Sequence, residues 1–315
     1  MKAWLFTGAH QPLQLIERDT PRPGPGQALI EVRGAGLCHS DVGVLDGTIT
    51  EMLPMKPPII LGHEVAGVVL EVGPGVTRFK AGDRVVASGD EAFCPGWSAD
   101  GGYATHCLLS TTCMAPLPDA VDFVQGAAAT DAGQTSYGAV MGTGQMKPGQ
   151  RVGIIGLGGL GMTGARIAVV NGAAEVYAAE PRREAWDTAR AQGVKEVVED
   201  VMGLAPYELD LIVDFAGFGT TTAGAILAVR EGGLVVQVGL GVSDATISTA
   251  MLVAKSVTLR GSKGGRPGDT EKVLAHMQAG ELTIQASTIG FEEIPAGLER
   301  LERGGVVGRL VAQPN

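Results

Sequence analysis

The sequence is poor in cysteine, and its few cysteines are not spaced as pairs. Four are present, Cys38, Cys94, Cys107 and Cys113, and none of them belongs to a C-x-x-C motif. In a chain of 315 residues this pattern argues against a disulfide framework. Each cysteine is therefore expected to be a reduced thiol in the core unless another role can be argued for it.

Positive charge is also scarce. The chain has 24 Lys and Arg against 34 Asp and Glu, which gives a formal net charge of −10. Nucleic acids and anionic membrane surfaces attract the opposite balance, and no basic stripe offsets it. We therefore expect no nucleic-acid partner and no membrane partner.

Long hydrophobic runs are missing. The longest mostly apolar stretch, residues 152–165, is interrupted by glycines and ends at Arg166, so it is too short to span a bilayer. The first residues lack the apolar region and small-residue cleavage site of a secretory signal. With 45% hydrophobic residues, the composition is that of a folded, soluble protein, which we expect to be cytoplasmic.

The hydrophobic pattern changes near the middle of the chain. Residues 28–36, 64–73 and 83–89 combine β-branched residues with bounding Gly or Pro, which predicts strands. From residue 151 onward, the pattern predicts strands at 151–156, 175–180, 210–217, 233–239 and 256–261, and helices at 159–172, 183–193 and 220–230. This alternation is typical of an α/β fold with a Rossmann-type, doubly wound parallel sheet.

The tail is expected to return to the β-rich part. It carries a predicted helix at 271–280 and a final apolar strand at 306–312. We therefore expect a catalytic domain made of residues 1–131 and 263–315, and a dinucleotide-binding domain made of residues 132–262.

A glycine motif stands where the second pattern begins. Gly156, Gly158 and Gly161 fit G-x-G-x-x-G between a predicted strand and a predicted helix. Such glycines allow a tight turn, close approach of the backbone to a pyrophosphate, and close helix–strand packing. Glu180 follows about 20 residues later, where a carboxylate binds the adenosine ribose. The motif predicts a dinucleotide site, and a plain strand–helix turn is the alternative.

The charges near Glu180 bear on the choice of dinucleotide. A carboxylate accepts hydrogen bonds from the ribose hydroxyls and repels a 2′-phosphate, which favours NAD over NADP. Arg182 and Arg183 complicate this choice, because guanidinium groups attract such a phosphate. The alternative is that both are solvated residues at the start of a helix. NAD is the expected cofactor, with NADP second.

Potential metal ligands are scattered through the first part. Cys38, His63 and Asp131 offer a thiolate, an imidazole and a carboxylate, a set that can hold zinc and leave a fourth position open. An open position is typical of a catalytic zinc. Their separation along the chain proves no site, however, and a buried thiol, a core histidine and a helix cap are the alternatives.

Segments along nearly the whole chain resemble those of the zinc-dependent medium-chain alcohol dehydrogenases. They are GLCHSD (36–41), LGHEVAGVV (61–69), KAGDRV (80–85), GGYA (101–104), TDAGQTSYGAV (130–140), KPGQRVGIIGLGGLG (147–161) and GRLV (308–311). The resemblance implies a GroES-like catalytic domain besides the Rossmann-type domain. It also implies interconversion of an alcohol, here a secondary one, with its ketone or aldehyde by hydride transfer to NAD.

The resemblance implies metal-site roles for five residues. Cys38 and His63 match zinc ligands of the family, and Asp131 takes the place of a third ligand that is usually cysteine, as in the secondary-alcohol branch. Glu64 matches an acid behind the zinc that is also a potential ligand. Asp41 matches an acid that orients the ligand histidine.

Three further roles follow from the same resemblance. Ser40, two residues after a ligand, is expected to take the proton of the alcohol. Thr135 matches a residue that packs on the nicotinamide. Arg309 matches a residue that pairs with the pyrophosphate.

The family's four-cysteine structural zinc loop is missing. Between Asp83 and Gly101 only Cys94 remains, so we expect one catalytic zinc per chain and no structural zinc. The segment 91–97 falls where family members place a substrate-contacting loop. Phe93 and Trp97 are candidate walls of an apolar pocket there, and covering the core is the alternative.

Two other functions remain open at this point. One is a zinc-free quinone or enoyl reductase of the same superfamily, against which the presence of Cys38, His63, Glu64 and Asp131 argues. The other is a cofactor-binding protein without turnover. The resemblance also implies a homodimer or homotetramer joined near residues 245–259.

Overall fold

The computed structural model describes residues 1–89 and 93–314, and this part of the chain divides into two compact units. The first contains Met1–Asp131, Thr270–Gln278 and the residues from 286 onward. The second contains Ala132–Asp269 and Ala279–Gln285. Each unit has its own hydrophobic core.

The described elements are mostly short. The strands are β1 (Lys2–Phe6), β2 (Gln14–Glu17), β3 (Gln27–Leu37), β4 (Ile59–Ile60), β5 (Glu64–Val72), β6 (Arg84–Ala87), β7 (His106–Ser110), β8 (Met114–Pro116), β9 (Arg151–Ile155), β10 (Glu175–Ala179), β11 (Glu196–Val198), β12 (Leu211–Asp214), β13 (Leu234–Gln237), β14 (Thr258–Gly261), β15 (Ala286–Gly290) and β16 (Arg309–Gln313). The helices are α1 (His39–Leu45), α2 (Phe123–Ala128), α3 (Gln134–Tyr137), α4 (Gly159–Val170), α5 (Trp186–Ala191), α6 (Thr220–Ala228), α7 (Thr249–Ala254), α8 (Asp269–Gln278) and α9 (Ile294–Glu302). None of these helices is both long enough and apolar enough to cross a bilayer, within the part of the chain that is described.

The first unit is built on β3. This strand pairs antiparallel with β5, with β7 and with β16. The resulting sheet has the order β15-β16-β3-β5-β6-β8, with β7 added on β3, and a smaller sheet has the order β2-β1-β4. Most residues of β3 are buried, which is why its sequence is a run of small and apolar residues interrupted by few polar ones.

The second unit contains a sheet with the order β11-β10-β9-β12-β13-β14, and all of its described pairs are parallel. The predicted doubly wound parallel sheet is therefore confirmed. The strands and helices predicted from residue 151 to residue 261 are present, with ends shifted by one to a few residues. Helix 183–193 begins as a 3₁₀ turn, Arg183–Ala185, before α5.

The second unit extends beyond residue 262, where the sequence analysis placed its end. Residues 260–269 remain in the second unit because their polar groups bond to it: the hydroxyl of Ser262 lies 3.0 Å from that of Thr143, and the Arg260 guanidinium donates to the Thr143 carbonyl at 3.2 Å. Ala279–Gln285 also belongs there, since Arg166 of α4 donates to the carbonyl of Glu281 at 2.7 Å.

Two of the three motif glycines are required by the turn between β9 and α4. Gly156 has a φ of +82°, in the left-handed region that favours glycine. A Cβ on Gly161 would lie 1.7 Å from the carbonyl oxygen of Gly156. A Cβ on Gly158 would meet no atom within 4 Å. Packing does not require a glycine at 158, which leaves this position for the close approach of a ligand.

We expect Gly161→Ala to destabilise the second unit and Gly158→Ala to leave its stability nearly unchanged. The first variant places a methyl group in occupied space, and such overpacking costs about 1–3 kcal/mol. At position 158 the backbone is extended, with a φ of −75°, which alanine adopts without strain. Thermal unfolding followed by circular dichroism measures both, and equal melting temperatures would contradict this interpretation of the turn.

Candidate functional site

The ladder around β3 brings residues that are distant in sequence to one place. Gly36 of β3 pairs with Glu64 at the start of β5. Cys38 follows β3 directly as the N-cap of α1, and His63 immediately precedes β5. Arg309 is the first residue of β16, which pairs with the same end of β3. Because opposed residues on paired strands lie about 5 Å apart, these side chains converge.

Asp131 comes from a helical segment that the sequence patterns did not predict. Helix α2 continues into a π-helical turn, Ala129–Gly133, that contains Asp131. Helix α2 packs closely on β3 because Gly34 has no side chain: a Cβ there would lie 2.6 Å from the carbonyl oxygen of Phe123. Single π-helical turns within helices are frequent at functional sites.

The metal-binding atoms of four side chains lie within 4.8 Å of one another: those of Cys38, His63, Glu64 and Asp131. The Cys38 Sγ atom lies 3.3 Å from Oδ2 of Asp131, and Nε2 of His63 lies 3.9 Å from the same oxygen. The hydroxyl oxygen of Ser40 lies 3.5 Å from His63 Nε2. The structure thus brings together the residues that the sequence suggested, and a thiolate, an imidazole and a carboxylate form a donor set that fits zinc.

His63 is oriented through its other ring nitrogen. Nδ1 lies 3.4 Å from Oδ1 of Asp41, and neither atom has a hydrogen bond to any other described residue. Asp41 is fully buried, and its Oδ2 accepts hydrogen bonds from the Cys38 amide at 3.0 Å and from the Tyr103 hydroxyl at 2.7 Å. Since Nδ1 faces a carboxylate, Nε2 is the nitrogen available to a metal.

Tyr103 is a site residue that the sequence reasoning missed. Its side chain is fully buried, and burial together with the neighbouring Asp41 holds the pKa of its hydroxyl well above the usual value. The hydroxyl therefore stays protonated and acts as a donor to Asp41. Tyr103 lies in the GGYA segment (101–104), but nothing in that segment indicates which group its hydroxyl meets.

Arg309 also lies in the cluster and is almost fully buried. Its Nη2 is 2.5 Å from Oε1 of Glu64, its Nε is 3.1 Å from Oε2 of Glu64, and Nη2 also contacts Asp131. A Cβ on Gly36 would lie 2.1 Å from Oε2 of Glu64, so this ion pair needs a glycine at position 36. The pairing of Arg309 with a pyrophosphate stays a prediction.

Burial and charge oppose each other in the cluster. Burial raises the pKa of Glu64 to about 7, although Arg309 acts to lower it. Burial lowers the pKa of His63, but Asp41 and Asp131 outweigh burial and hold this pKa well above its usual value. The carboxylates around His63 favour its protonated form, so the cluster is a place where positive charge is stabilised.

Trp97 covers one face of His63. The two ring centroids are 4.8 Å apart, with an interplanar angle of 41°. Phe93 packs, partly buried, against the core of the first unit. Of the segment 91–97 that sequence reasoning assigned to substrate contact, Glu91 and Ala92 lie outside the described residues.

The predicted dinucleotide residues lie in the second unit. Helix α4 begins at Gly159, and its N-cap Gly158 supplies no side-chain cap, which leaves the first N–H groups of the helix available to an anion. Glu180 follows β10, and its Oε2 accepts a hydrogen bond from the Leu157 amide at 2.7 Å. Thr135 is buried in α3.

These features together define a class of protein. A doubly wound parallel sheet with a glycine-rich turn after β9 and an acid after β10 has the architecture of a dinucleotide-dependent dehydrogenase. The Cys–His–carboxylate cluster of the first unit adds a candidate metal site.

Comparison with known proteins narrows the class. Residues 24–119 match the family of the alcohol dehydrogenase GroES-like domain, and residues 159–279 match the zinc-binding dehydrogenase family. An alcohol dehydrogenase of Geobacillus stearothermophilus is 31% identical, over 99% of this chain and 98% of the relative. An alcohol dehydrogenase structure from Aeropyrum pernix is 28% identical over 100% of both chains, with a TM-score of 0.91. The acetophenone reductase of Geotrichum candidum, solved in complex with NAD, is 29% identical over 99% of this chain and 97% of that chain, with a TM-score of 0.90.

The chain belongs to the zinc-type medium-chain alcohol dehydrogenases. The family assignment agrees with the resemblance found in the sequence and places a GroES-like domain in the first unit.

We expect Tyr103→Phe to weaken zinc binding by about 10- to 100-fold, the usual effect of losing a group that supports a metal ligand. The variant leaves Asp41 Oδ2 with the Cys38 amide as its remaining donor, so the carboxylate holds His63 less firmly. Competition with a chromophoric chelator measures the affinity. Tyr177→Phe, which removes a hydroxyl that donates to Glu175 in the second unit, is the control. Equal zinc affinities in the two variants would contradict the role of Tyr103.

Proposed function

We propose that this protein is an NAD-dependent zinc alcohol dehydrogenase that interconverts a secondary alcohol and its ketone. The observation that carries the proposal is the convergence of the metal-binding atoms of Cys38, His63 and Asp131 within 4.8 Å. Family membership and the relatives named as alcohol dehydrogenases support the reaction type.

Cys38, His63 and Asp131 are the proposed zinc ligands. Zinc bound by them would supply a Lewis acid for the substrate oxygen, with the fourth position open to it. Glu64 lies beside the three ligands and is held by Arg309. Asp41 fixes the imidazole so that Nε2 faces the metal position.

The chain's own hydroxyl groups handle the proton. The Ser40 hydroxyl lies beside Nε2 of His63, on the side of the ring that we assign to the metal. At this position its oxygen accepts the proton of the alcohol as its own proton is released to solvent water. A bound NAD supplies the hydride acceptor, and Thr135 is proposed to pack on the nicotinamide.

We propose one zinc per chain and no structural zinc. Within the described residues, one group of three or more close metal-binding side chains is found, the group around Cys38. Cys107 and Cys113 are buried thiols that pack in the hydrophobic core of the first unit.

An apolar substrate is favoured by the aromatic residue at the metal. Trp97 lies against His63, so an aromatic ring stands beside the proposed metal ligand. The similar Geotrichum candidum enzyme is named for acetophenone, an aryl ketone. We therefore propose alkyl or aryl ketones and their secondary alcohols as the substrate class.

Asp131→Ala is expected to lose zinc and to lower alcohol oxidation by at least about 100-fold, because it removes one of three ligands. Asp131→Cys supplies a thiolate and is expected to retain zinc. Metal content per chain by mass spectrometry and NAD reduction with a secondary alcohol measure both effects. Asp187→Ala, which removes an exposed carboxylate, is the control. Unchanged zinc content and turnover in Asp131→Ala would contradict the proposed site.

The second unit offers an edge for self-association. β14 ends the sheet order, and all four of its residues are exposed. Val253 of α7 and Leu259 of β14 are exposed apolar residues at 74% and 37%. An exposed strand edge is a template for pairing with another chain, so we propose a homodimer formed through β14 that can pair further into a tetramer.

Leu259→Lys is therefore expected to convert the oligomer into monomers at micromolar concentration, since it places a charge on the proposed interface. Light scattering coupled to gel filtration measures the mass. Leu70→Lys on β5, where the leucine is exposed at 42%, is the matched control and should keep the wild-type mass. A monomeric wild type, or an unchanged mass in Leu259→Lys, would refute the interface.

A further inference from the structure

The Glu180 carboxylate has no hydrogen-bonding capacity left for a ligand in the free protein. Its Oε1 accepts from the Arg182 amide at 3.0 Å and from Arg182 Nε at 2.9 Å. Its Oε2 accepts from the Leu157 amide at 2.7 Å and from Arg182 Nη2 at 3.2 Å. A carboxylate offers about four lone-pair sites. A ribose diol can therefore bind Glu180 only after one of these donors leaves.

The side chain of Arg182 is the donor that can leave. The Leu157 and Arg182 amides are fixed by the backbone, and the Glu180 side chain is only 4% exposed. The Glu180 carbonyl is also held, by the Trp186 indole N–H at 2.8 Å. The Arg182 side chain is 35% exposed, so its guanidinium can turn into solvent while the carboxylate stays in place.

We propose that Arg182 sets the preference between NAD and NADP, by competing with the ribose for Glu180 and by receiving the 2′-phosphate once it is displaced. The inference rests on the proposed function, because it assumes that a dinucleotide binds at Glu180.

The two cofactors differ in the new partner that they leave to the displaced Arg182 guanidinium. NAD breaks the pair of Arg182 with Glu180 and gives the guanidinium only water in exchange. NADP brings a phosphate, with which a guanidinium forms strong charge-assisted hydrogen bonds. Arg182 therefore weakens NAD binding and strengthens NADP binding. As a result, the preference for NAD over NADP is smaller than Glu180 alone would produce.

Arg183 provides a matched control at the next position. Its guanidinium pairs with Glu199 at 3.1 Å, and its side chain is 75% exposed. Both arginines carry the same charge in the same segment, so a general electrostatic effect on the phosphate would appear in either variant. An effect specific to Arg182 would identify the contact with Glu180 as its cause.

The experiment titrates the full, zinc-loaded protein separately with NADH and NADPH, following cofactor fluorescence. In Arg182→Ala, the Kd of NADH should fall and that of NADPH should rise. The ratio of the NADPH Kd to the NADH Kd should grow by about tenfold or more, as expected for hydrogen bonds to a charged group. In Arg183→Ala the ratio should stay within about twofold, since exposed ion pairs contribute little. Arg182→Lys should fall between the wild type and Arg182→Ala, because lysine keeps the charge without the paired donors.

Three outcomes would overturn the inference. An unchanged ratio in Arg182→Ala would show that the residue does not discriminate. If the binding of both cofactors weakens equally, Arg182 only holds the Glu180 carboxylate in its place beside the Leu157 amide. A wild type that binds neither dinucleotide would overturn the proposed function itself, and the inference with it.

Discussion

The antiparallel ladder of β16, β3 and β5 fixes the metal-binding side chains in position. A slip of one residue in this ladder would turn alternate side chains to the opposite face of the sheet, and the positions of Gly34 and Gly36, which have no room for a Cβ atom, exclude such a slip. Cys38 and His63 lie one residue beyond the paired strands, so they inherit this register. Gly36 leaves the space that the Glu64 carboxylate occupies. Strand pairing therefore positions Cys38, His63 and Glu64, and the π-helical turn after α2 positions Asp131.

The cluster concentrates buried charge that a stable core would avoid. Asp41 and Glu64 are fully buried, and Arg309 nearly so. Such ion pairs contribute little net stability, because desolvation offsets their attraction. One oxygen of each carboxylate accepts from specific donors: Oδ2 of Asp41 from the Tyr103 hydroxyl and the Cys38 amide, and Oε2 of Glu64 from Nε of Arg309. This cost in folding free energy is understandable if the site binds a cation, since the buried carboxylates provide negative charge that attracts it.

Local patterns predicted five of the six described strands in the sheet of the second unit, all except β11. Its buried strands are apolar runs that alternate with helices, and the glycine motif marks the first strand–helix turn. The segment 123–143 was missed because two π-helical turns interrupt its period and small residues fill it. Tyr103 and the pairing of Arg309 with Glu64 were missed because hydrogen-bond partners far apart in sequence leave no local signal. For Cys38, His63 and Asp131, side-chain chemistry and spacing did not decide between a zinc site and separate structural roles. The family resemblance was needed to assign the three residues to one site.

Both candidate sites neutralise an acid with an arginine, but the two arginines differ in freedom. Arg309 is 3% exposed and contacts both Glu64 and Asp131, so it cannot leave without a charged group becoming unpaired in the core. The Arg182 side chain is 35% exposed, so its guanidinium can turn into solvent when a ligand takes its place at Glu180. The first pair is therefore a fixed part of the metal site. The second is an exchangeable contact, and the ligand that displaces it determines how much of the lost interaction is recovered.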